Sequence, residues 1–410
     1  MSVDAAVKRI QSNLNQHFFD WDVTRDELED NNQAINALSP GERNEAIARL
    51  SDDQLQHWAR ETTGWNSPLS ADDRQALLNT LAQSLDGAQA ARVARAFGAE
   101  DMAQAIATHG SAVQKRDFIA AIQGQADGSA SQIHAGLGVS TTTRGNAEAR
   151  AAAQVLASMD GGAPEMSQAI RGLEQAGKLG DVLAAASGRQ DVTYHPSSPY
   201  EIPAMHTSFR EEPLTRILQG VAQLPQGDPA RAQAFKAAMG TLQDMQTATG
   251  GGRQNANAQS VQNVADGMGR IFSRQEAIDQ GLWTPPPNPD PSRISMDGNI
   301  AAAHAHSGDL LWFYNQVKSG GPMDYKAGND DQGKAEDYEN FGNFNFGVVA
   351  AAHGIPEEVA KGGAGAYQVY SGTSDIRWLS SYFDDPRDTA QIAAGYDYYQ
   401  SGMWRVWPDD

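Results

Sequence analysis

The chain has 410 residues, no cysteine and a formal net charge of −20, with 31 Lys and Arg against 51 Asp and Glu. Without cysteine it forms neither disulfides nor thiolate metal sites. Binding to nucleic acid relies on Lys and Arg at phosphates, so this acidity argues against a DNA-binding protein. No apolar run reaches the ~18 residues of a membrane span, and the first residues lack a signal-peptide pattern. We expect a soluble protein that is made in the cytoplasm and does not leave it by the general secretory route.

Helix-start motifs recur along the first ~125 residues. Ser39-Pro40-Gly41-Glu42 and Ser51-Asp52-Asp53-Gln54 are capping boxes, and Ser70–Asp73 is a weaker one. Apolar residues at helical spacing follow each motif. The pattern predicts a multi-helix bundle or short solenoid.

Helical patterns continue to residue 248, interrupted by polar segments. We interpret Ser140–Gly145 as a loop or cap before an Ala-rich helix, and His195–Thr207 as an extended surface loop. Gly250–Gly252 and the proline-rich Trp283–Pro291 then predict linkers. The fold class expected is mainly α. The predicted domains are residues 1–125, 126–248, a Gly/Pro-rich linker at 249–293, and a small, mostly helical domain at 294–410.

The last part of the chain differs in composition from the rest. Residues 290–410 hold 8 Lys and Arg against 18 Asp and Glu, a net charge of 8 − 18 = −10, and 18 of the 31 aromatic residues. Carboxylates and aromatic rings suit sugar stacking and the protonation of glycosidic oxygens better than phosphate binding.

Three stretches in this part resemble the bacterial polymorphic toxin type 44 family: Trp312–Lys326 (WFYNQVKSGGPMDYK), Tyr338–Gly347 (YENFGNFNFG), and Asp384–Asp388 (DDPRD) with Gly395, Tyr398 and Tyr399. Met323 stands where the family commonly has Trp. The resemblance implies a toxin delivered by a specialised secretion system against rival bacteria, with a cognate immunity protein. The N-terminal region is similar to helical regions of secreted effectors, which implies binding to a secretion-system component or adaptor.

The central motif predicts a helix. Glu339, Asn343, Gly347 and Ala351 share one face of it, and Phe341, Phe344, Val348 and Ala352 form an apolar stripe on another. A carboxylate and an amide followed by small residues predict the floor of a groove. Alternatively, Glu339 stabilises the helix N-terminus and Gly347 permits close helix packing.

Other candidate groups also have structural interpretations. Asp385 with Pro386 and Asp388 fits a helix cap, which leaves Asp384 as a possible second catalytic carboxylate. Asp324 either pairs with Lys326 or orients a water. His304 and His306 do not share a helical face, and His353 fits a core position, so we expect no metal and no cofactor.

The favoured reaction is hydrolysis of peptidoglycan glycan in the target-cell envelope or periplasm. Glu339 would be the general acid, and Asp324, Asp384 or Asp385 the base or nucleophile. Six residues would bind substrate: Tyr325, Lys326, Asn343, Asn345, Trp378 and Tyr398. The first alternative is a metal-independent ribonuclease using the cations Lys326, Arg377 and Arg387. The second is a non-enzymatic effector or adaptor that binds a protein partner.

Overall fold

A computed structural model describes residues 1–15, 23–63, 67, 69–136, 138–195, 204–248, 258–318, 320–325, 335–362 and 386–408. The described chain is mainly α, as the sequence predicts, with one small sheet. It divides into two compact units, Met1–Ala237 and Ala238–Asp410. In the described part, no helix is both long enough and apolar enough to cross a membrane.

The first unit begins with helices that pack through their apolar faces. They are α1 (Val3–Leu14), α2 (Arg25–Asn36), α3 (Pro40–Arg49), α4 (Asp52–Thr63), α5 (Ala71–Ala82), α6 (Gly87–Phe97), α7 (Ala99–His109) and α8 (Ala112–Ile122), followed by a short 3-10 helix at Gln123–Gln125. The predicted starts of α3, α4 and α5 are correct. For example, the Ser51 N–H donates to Gln54 Oε1 at 2.9 Å, and the Gln54 N–H donates to Ser51 Oγ at 3.1 Å.

A four-stranded antiparallel sheet follows, with strands in chain order: β1 (Ala130–Gly136), β2 (Val139–Arg144), β3 (Gln190–Tyr194) and β4 (Ala204–Ser208). The interpretation of Ser140–Gly145 as a loop or cap was wrong, since most of it is β2. Thr141 and Thr143 alternate into the buried side of the sheet, and the Thr143 hydroxyl donates to the Arg189 carbonyl at 3.1 Å. The predicted loop at His195–Thr207 likewise contains most of β4.

Five further helices are α9 (Ala147–Ala157), α10 (Pro164–Gln175), α11 (Leu179–Ala186), α12 (Glu212–Val221) and α13 (Pro229–Ala248). The predicted Ala-rich helix is α9. Its N-cap is Asn146, whose side chain accepts from the Ala149 N–H at 2.9 Å. The boundary between the two compact units falls inside α13.

All the regular secondary structure among the described residues of the second unit is helical. It contains the last part of α13, then α14 (Ala258–Ile271), α15 (Arg274–Asp279), α16 (Met296–Ala305), α17 (Leu310–Val317), α18 (Ala335–His353), α19 (Glu357–Gly362), α20 (Pro386–Ser401) and a 3-10 helix at Met403–Arg405. The core is built around α18, whose predicted apolar stripe is buried: Phe341, Phe344, Val348 and Ala352.

The structure describes one of the two predicted linkers. Gly250–Gly252 lies outside the described residues. Trp283–Pro291 is exposed or half-buried along its length. The Trp283 ring nevertheless contacts the Trp407 ring, with centroids 5.1 Å apart. The Trp407 indole N–H donates to the Phe272 carbonyl at 3.0 Å. Phe272 and Trp283 therefore contact Trp407, near the end of the chain. The domain limits that were inferred from composition stay predictions.

Candidate functional site

A buried polar network joins α16, α18 and the turn after α17. The Asn299 amide donates to the Tyr325 hydroxyl at 2.9 Å and to Asn345 Oδ1 at 2.8 Å. Tyr325 also packs on Phe341, with ring centroids 5.0 Å apart. Two predicted site residues, Tyr325 and Asn345, are thus brought together through Asn299, which the sequence analysis did not select. Burial raises the pKa of Tyr325, so its hydroxyl stays protonated.

Asp324 organises the turn that carries Tyr325. Its Oδ2 accepts from the Gly320 N–H at 2.8 Å, and Gly320 has φ of +74°, which favours glycine. This bond gives Asp324 a structural task at the turn. A part in catalysis stays a prediction for Asp324.

The other predicted residues have different surroundings. Glu339 is exposed, so the apolar surround that would keep a general acid protonated is not provided there. Asn343 and Asn345 are fully buried, and the Asn345 Nδ2 has no hydrogen-bond partner among the described residues. Tyr398 is half-buried and packs on Phe344 with ring centroids 5.6 Å apart. Four predicted site residues lie outside the described residues: Lys326, Trp378, Asp384 and Asp385.

The predicted groove along α18 is interrupted by a helix crossing. A Cβ built on Gly347 would lie 2.2 Å from the Ile392 carbonyl oxygen of α20. Gly347 therefore serves close packing, and the continuous groove floor predicted from residue sizes was wrong because α20 covers it. Farther along the same face, however, Ala351 does line a pocket.

This pocket has a volume of about 290 Å³ and is formed by the ends of α13, α18 and α20 and the start of α19. Six polar side chains line it: Gln246, Thr247, Glu357, Tyr396, Tyr399 and Gln400. Ala351 is twelve residues beyond Glu339, about 18 Å along the helix axis at 1.5 Å per residue. The pocket and the predicted carboxylate Glu339 therefore belong to opposite ends of α18.

Glu357 brings a carboxylate to the pocket beside a buried phenol. The Tyr396 hydroxyl donates to the Ile355 carbonyl at 2.9 Å. Burial raises the pKa of Tyr396, and the negative charge of Glu357 raises it further. The pocket thus combines one carboxylate with hydroxyl and amide groups, a set that can donate protons and hydrogen bonds to an uncharged polar ligand.

About half of this unit matches a known family. Residues 312–401 match the family model Ntox44, bacterial toxin 44. The C-terminal region carries a bacterial toxin 44 domain. No curated protein and no solved structure matches the chain significantly. The resemblance given by the three sequence stretches is therefore confirmed, while the match leaves the reaction of the toxin domain open.

The lining of the pocket includes residues outside the matched segment. Glu357, Tyr396, Tyr399 and Gln400 lie inside residues 312–401, whereas Gln246 and its neighbour Thr247 precede it by some sixty residues. Tyr398, the residue predicted from the sequence to bind substrate, is adjacent to Tyr399 and is not among the lining residues. Tyr396, Tyr399 and Gln400 have i, i+3, i+4 spacing on α20, and that spacing is the sequence signal that could have indicated the face lining this pocket.

Two histidines of the second unit form hydrogen bonds to neighbouring elements. His304 Nε2 lies 2.7 Å from the Tyr399 hydroxyl, and His353 Nε2 lies 3.1 Å from the Asp309 carbonyl. Burial lowers the pKa of both imidazoles, and the charge of Arg405 lowers that of His304 further. In the described ranges, no group of three or more His, Asp and Glu side chains is arranged to hold a metal ion.

Proposed function

We propose that the toxin 44 domain hydrolyses the glycan strands of bacterial peptidoglycan, and that the pocket at Glu357 binds the sugar at the cleaved bond. The lining carries this proposal: one carboxylate, two phenols, two amides and a hydroxyl, with no Lys or Arg among the described lining residues. Hydroxyl and amide groups match the hydrogen-bonding groups of sugars, and a carboxyl group is what glycosidic cleavage requires.

Glu357 replaces Glu339 as the favoured proton donor. Its carboxyl group gives a proton to the glycosidic oxygen as the bond to C1 breaks. In substrate-assisted glycosidases the acetamido oxygen of the sugar attacks C1, and water then opens that intermediate and returns a proton to the carboxylate. Peptidoglycan sugars carry N-acetyl groups, so this route needs no carboxylate as the nucleophile, and Glu357 serves as the acid and then the base. Asp384 and Asp385 stay predicted candidates for a second carboxylate.

Charge supports a glycan over RNA. Residues 290–410 have a net charge of −10, and the single charged side chain in the described lining is acidic. A phosphodiester bound there would meet repulsion instead of the cationic contacts that stabilise phosphate complexes. A wall hydrolase would reach its substrate after delivery to the periplasm, where a cognate immunity protein would have to act.

The test is digestion of purified peptidoglycan sacculi by the full chain, with products identified by mass. Glu357→Gln keeps the shape of the side chain but removes its titrating proton, so turnover should fall by about two to four orders of magnitude. Glu358→Gln is the matched control, because Glu358 is exposed, adjacent on the same helix and not part of the lining. Glu339→Gln tests the general acid that the sequence favoured, and its activity should stay close to that of the wild type. Intact sacculi alongside cleaved RNA, or full activity of Glu357→Gln, contradicts the proposal.

A further inference from the structure

We propose that His304 is a positioning residue of the toxin domain: it holds the Tyr399 hydroxyl in the orientation the pocket needs. This inference rests on the proposed function of the pocket. His304 is on α16 and precedes the family-matched segment, so the match does not include it.

The geometry around Tyr399 restricts its ring. Trp404 stacks on it, with centroids 5.9 Å apart and planes at 10°, and the Trp404 indole N–H donates to the Tyr399 carbonyl at 3.2 Å. His304 meets the Tyr399 ring edge-on at 5.7 Å. Trp404 on the ring and His304 at the hydroxyl hold the side chain in place, and the bond to His304 Nε2 sets the rotation of the hydroxyl proton.

A second side chain completes the arrangement. Gln246, from the end of α13, also hydrogen-bonds Tyr399 and partly offsets the raised pKa that burial gives this phenol. If the Gln246 amide donates to the phenol oxygen, the phenol can donate in turn to the imidazole. Two residues outside the matched segment thus act on one pocket hydroxyl.

The arrangement requires an unprotonated Nε2. A neutral imidazole with its proton on Nδ1 accepts from the phenol, whereas imidazolium donates from both nitrogens. In the described part of the chain, the titratable groups that act on His304 are Tyr399 of α20 and Arg405 of the following 3-10 helix. Burial and the Arg405 charge lower the pKa of His304, so the accepting form persists at neutral pH. In acid, the protonated Nε2 becomes a donor to the phenol oxygen, so the direction of the hydrogen bond reverses and the hydroxyl proton must turn away from His304.

Three single variants and one double variant of the full chain test this role by growth inhibition and by sacculus digestion between pH 5 and 8. His304→Ala and Tyr399→Phe should each lose about ten- to a hundredfold in activity, the cost of one buried hydrogen bond. The two losses should not add in the double variant, because both remove the same bond. His304→Gln retains an acceptor near the Nε2 position, so it should recover much of the activity. It should also lack the fall of wild-type activity in acid.

A third measurement does not depend on activity. The measurement is an NMR titration of His304, whose signal is assigned by its absence in His304→Gln. The Tyr399→Phe variant should show a higher pKa for His304 than the wild type, because the phenol no longer donates to the neutral imidazole. Three results would overturn the inference. They are an unchanged pKa of His304 in Tyr399→Phe, activity losses that add in the double variant, and a His304→Gln variant whose activity falls in acid as the wild type's does. Growth inhibition without sacculus digestion rejects the glycan proposal alone, since the growth data still report on His304.

Discussion

Gly347 and Gly395 meet backbone to backbone where α18 and α20 cross. A Cβ on Gly395 would lie 2.1 Å from the Phe344 carbonyl oxygen and 3.1 Å from the Gly347 Cα. Because the obstacle is backbone rather than a flexible side chain, the helices must separate to accept a methyl group. This crossing fixes the direction in which Tyr396 and Tyr399 leave α20 toward the pocket.

Gly395→Ala should therefore destabilise the C-terminal unit by about 1–3 kcal/mol, the usual cost of overpacking a core. Urea unfolding followed by tryptophan fluorescence measures the change. Gly240→Ala is the matched control, because Gly240 is also helical and a Cβ there meets nothing within 4 Å. Its unfolding free energy should stay the same or rise by up to about 1 kcal/mol. Equal effects in the two variants would show that the crossing tolerates a methyl group.

Asn299→Ala tests the buried polar network. It leaves Asn345 Oδ1 and the Tyr325 hydroxyl without the amide that joins them, at a cost of about 1–3 kcal/mol in unfolding free energy. Asn315→Ala is the comparison, since the exposed Asn315 bonds the exposed end of Lys318. That variant should change stability by less than about 0.5 kcal/mol. A stable Asn299→Ala protein would mean that other groups satisfy Asn345.

Stability should fall in acid through His304 and His353. Burial lowers the pKa of both imidazoles in the folded chain, whereas an unfolded histidine titrates near 6.5. Protons then bind the unfolded chain more readily, so the stabilisation is complete above about pH 6.5 and is lost as the pH falls below it. The drop in melting temperature between pH 7.5 and 5.5 should shrink in a His304→Gln, His353→Gln double variant. His109→Gln, at an exposed histidine of the first unit, should keep the full drop.

A fragment of residues 238–410 should melt several degrees above a fragment of residues 290–410. The shorter fragment lacks Phe272 and Trp283, which contact Trp407, and Leu242, whose side chain lies against Gly402. Lost packing of this kind costs about 2 kcal/mol or more per large side chain. Differential scanning calorimetry of the two fragments gives the comparison. Equal melting temperatures would support the domain start predicted from composition.

The sequence predicted local features better than distant ones. The capping motif at Ser51 and the apolar stripe of α18 depend on residues within one or two turns of each other, and both are correct. Strand β2 pairs with the adjacent β1 and also with β3, where Thr141 lies opposite Val192, a partner some fifty residues away. A Ser/Thr run without that partner has the same composition as a loop.

The candidate site shows the same limit. Tyr325 and Asn345 were selected from motifs, but their link, Asn299, lies well outside both motifs. Glu357 follows a proline at a helix start, where an acidic residue is ordinarily explained by the helix dipole. Its relation to Tyr396 depends on how α19 and α20 pack, which no spacing in the sequence encodes.

The position of Gln246 and His304 outside residues 312–401 bears on how such a domain can be inherited. A recombination joint placed at residue 312 would transfer the recognisable toxin segment and leave both partners of Tyr399 behind. The recipient gene would then need an equivalent amide and imidazole in its own upstream sequence to receive a working cassette. Joints upstream of α13 carry all three residues together, so natural gene fusions that keep this pocket should cluster there.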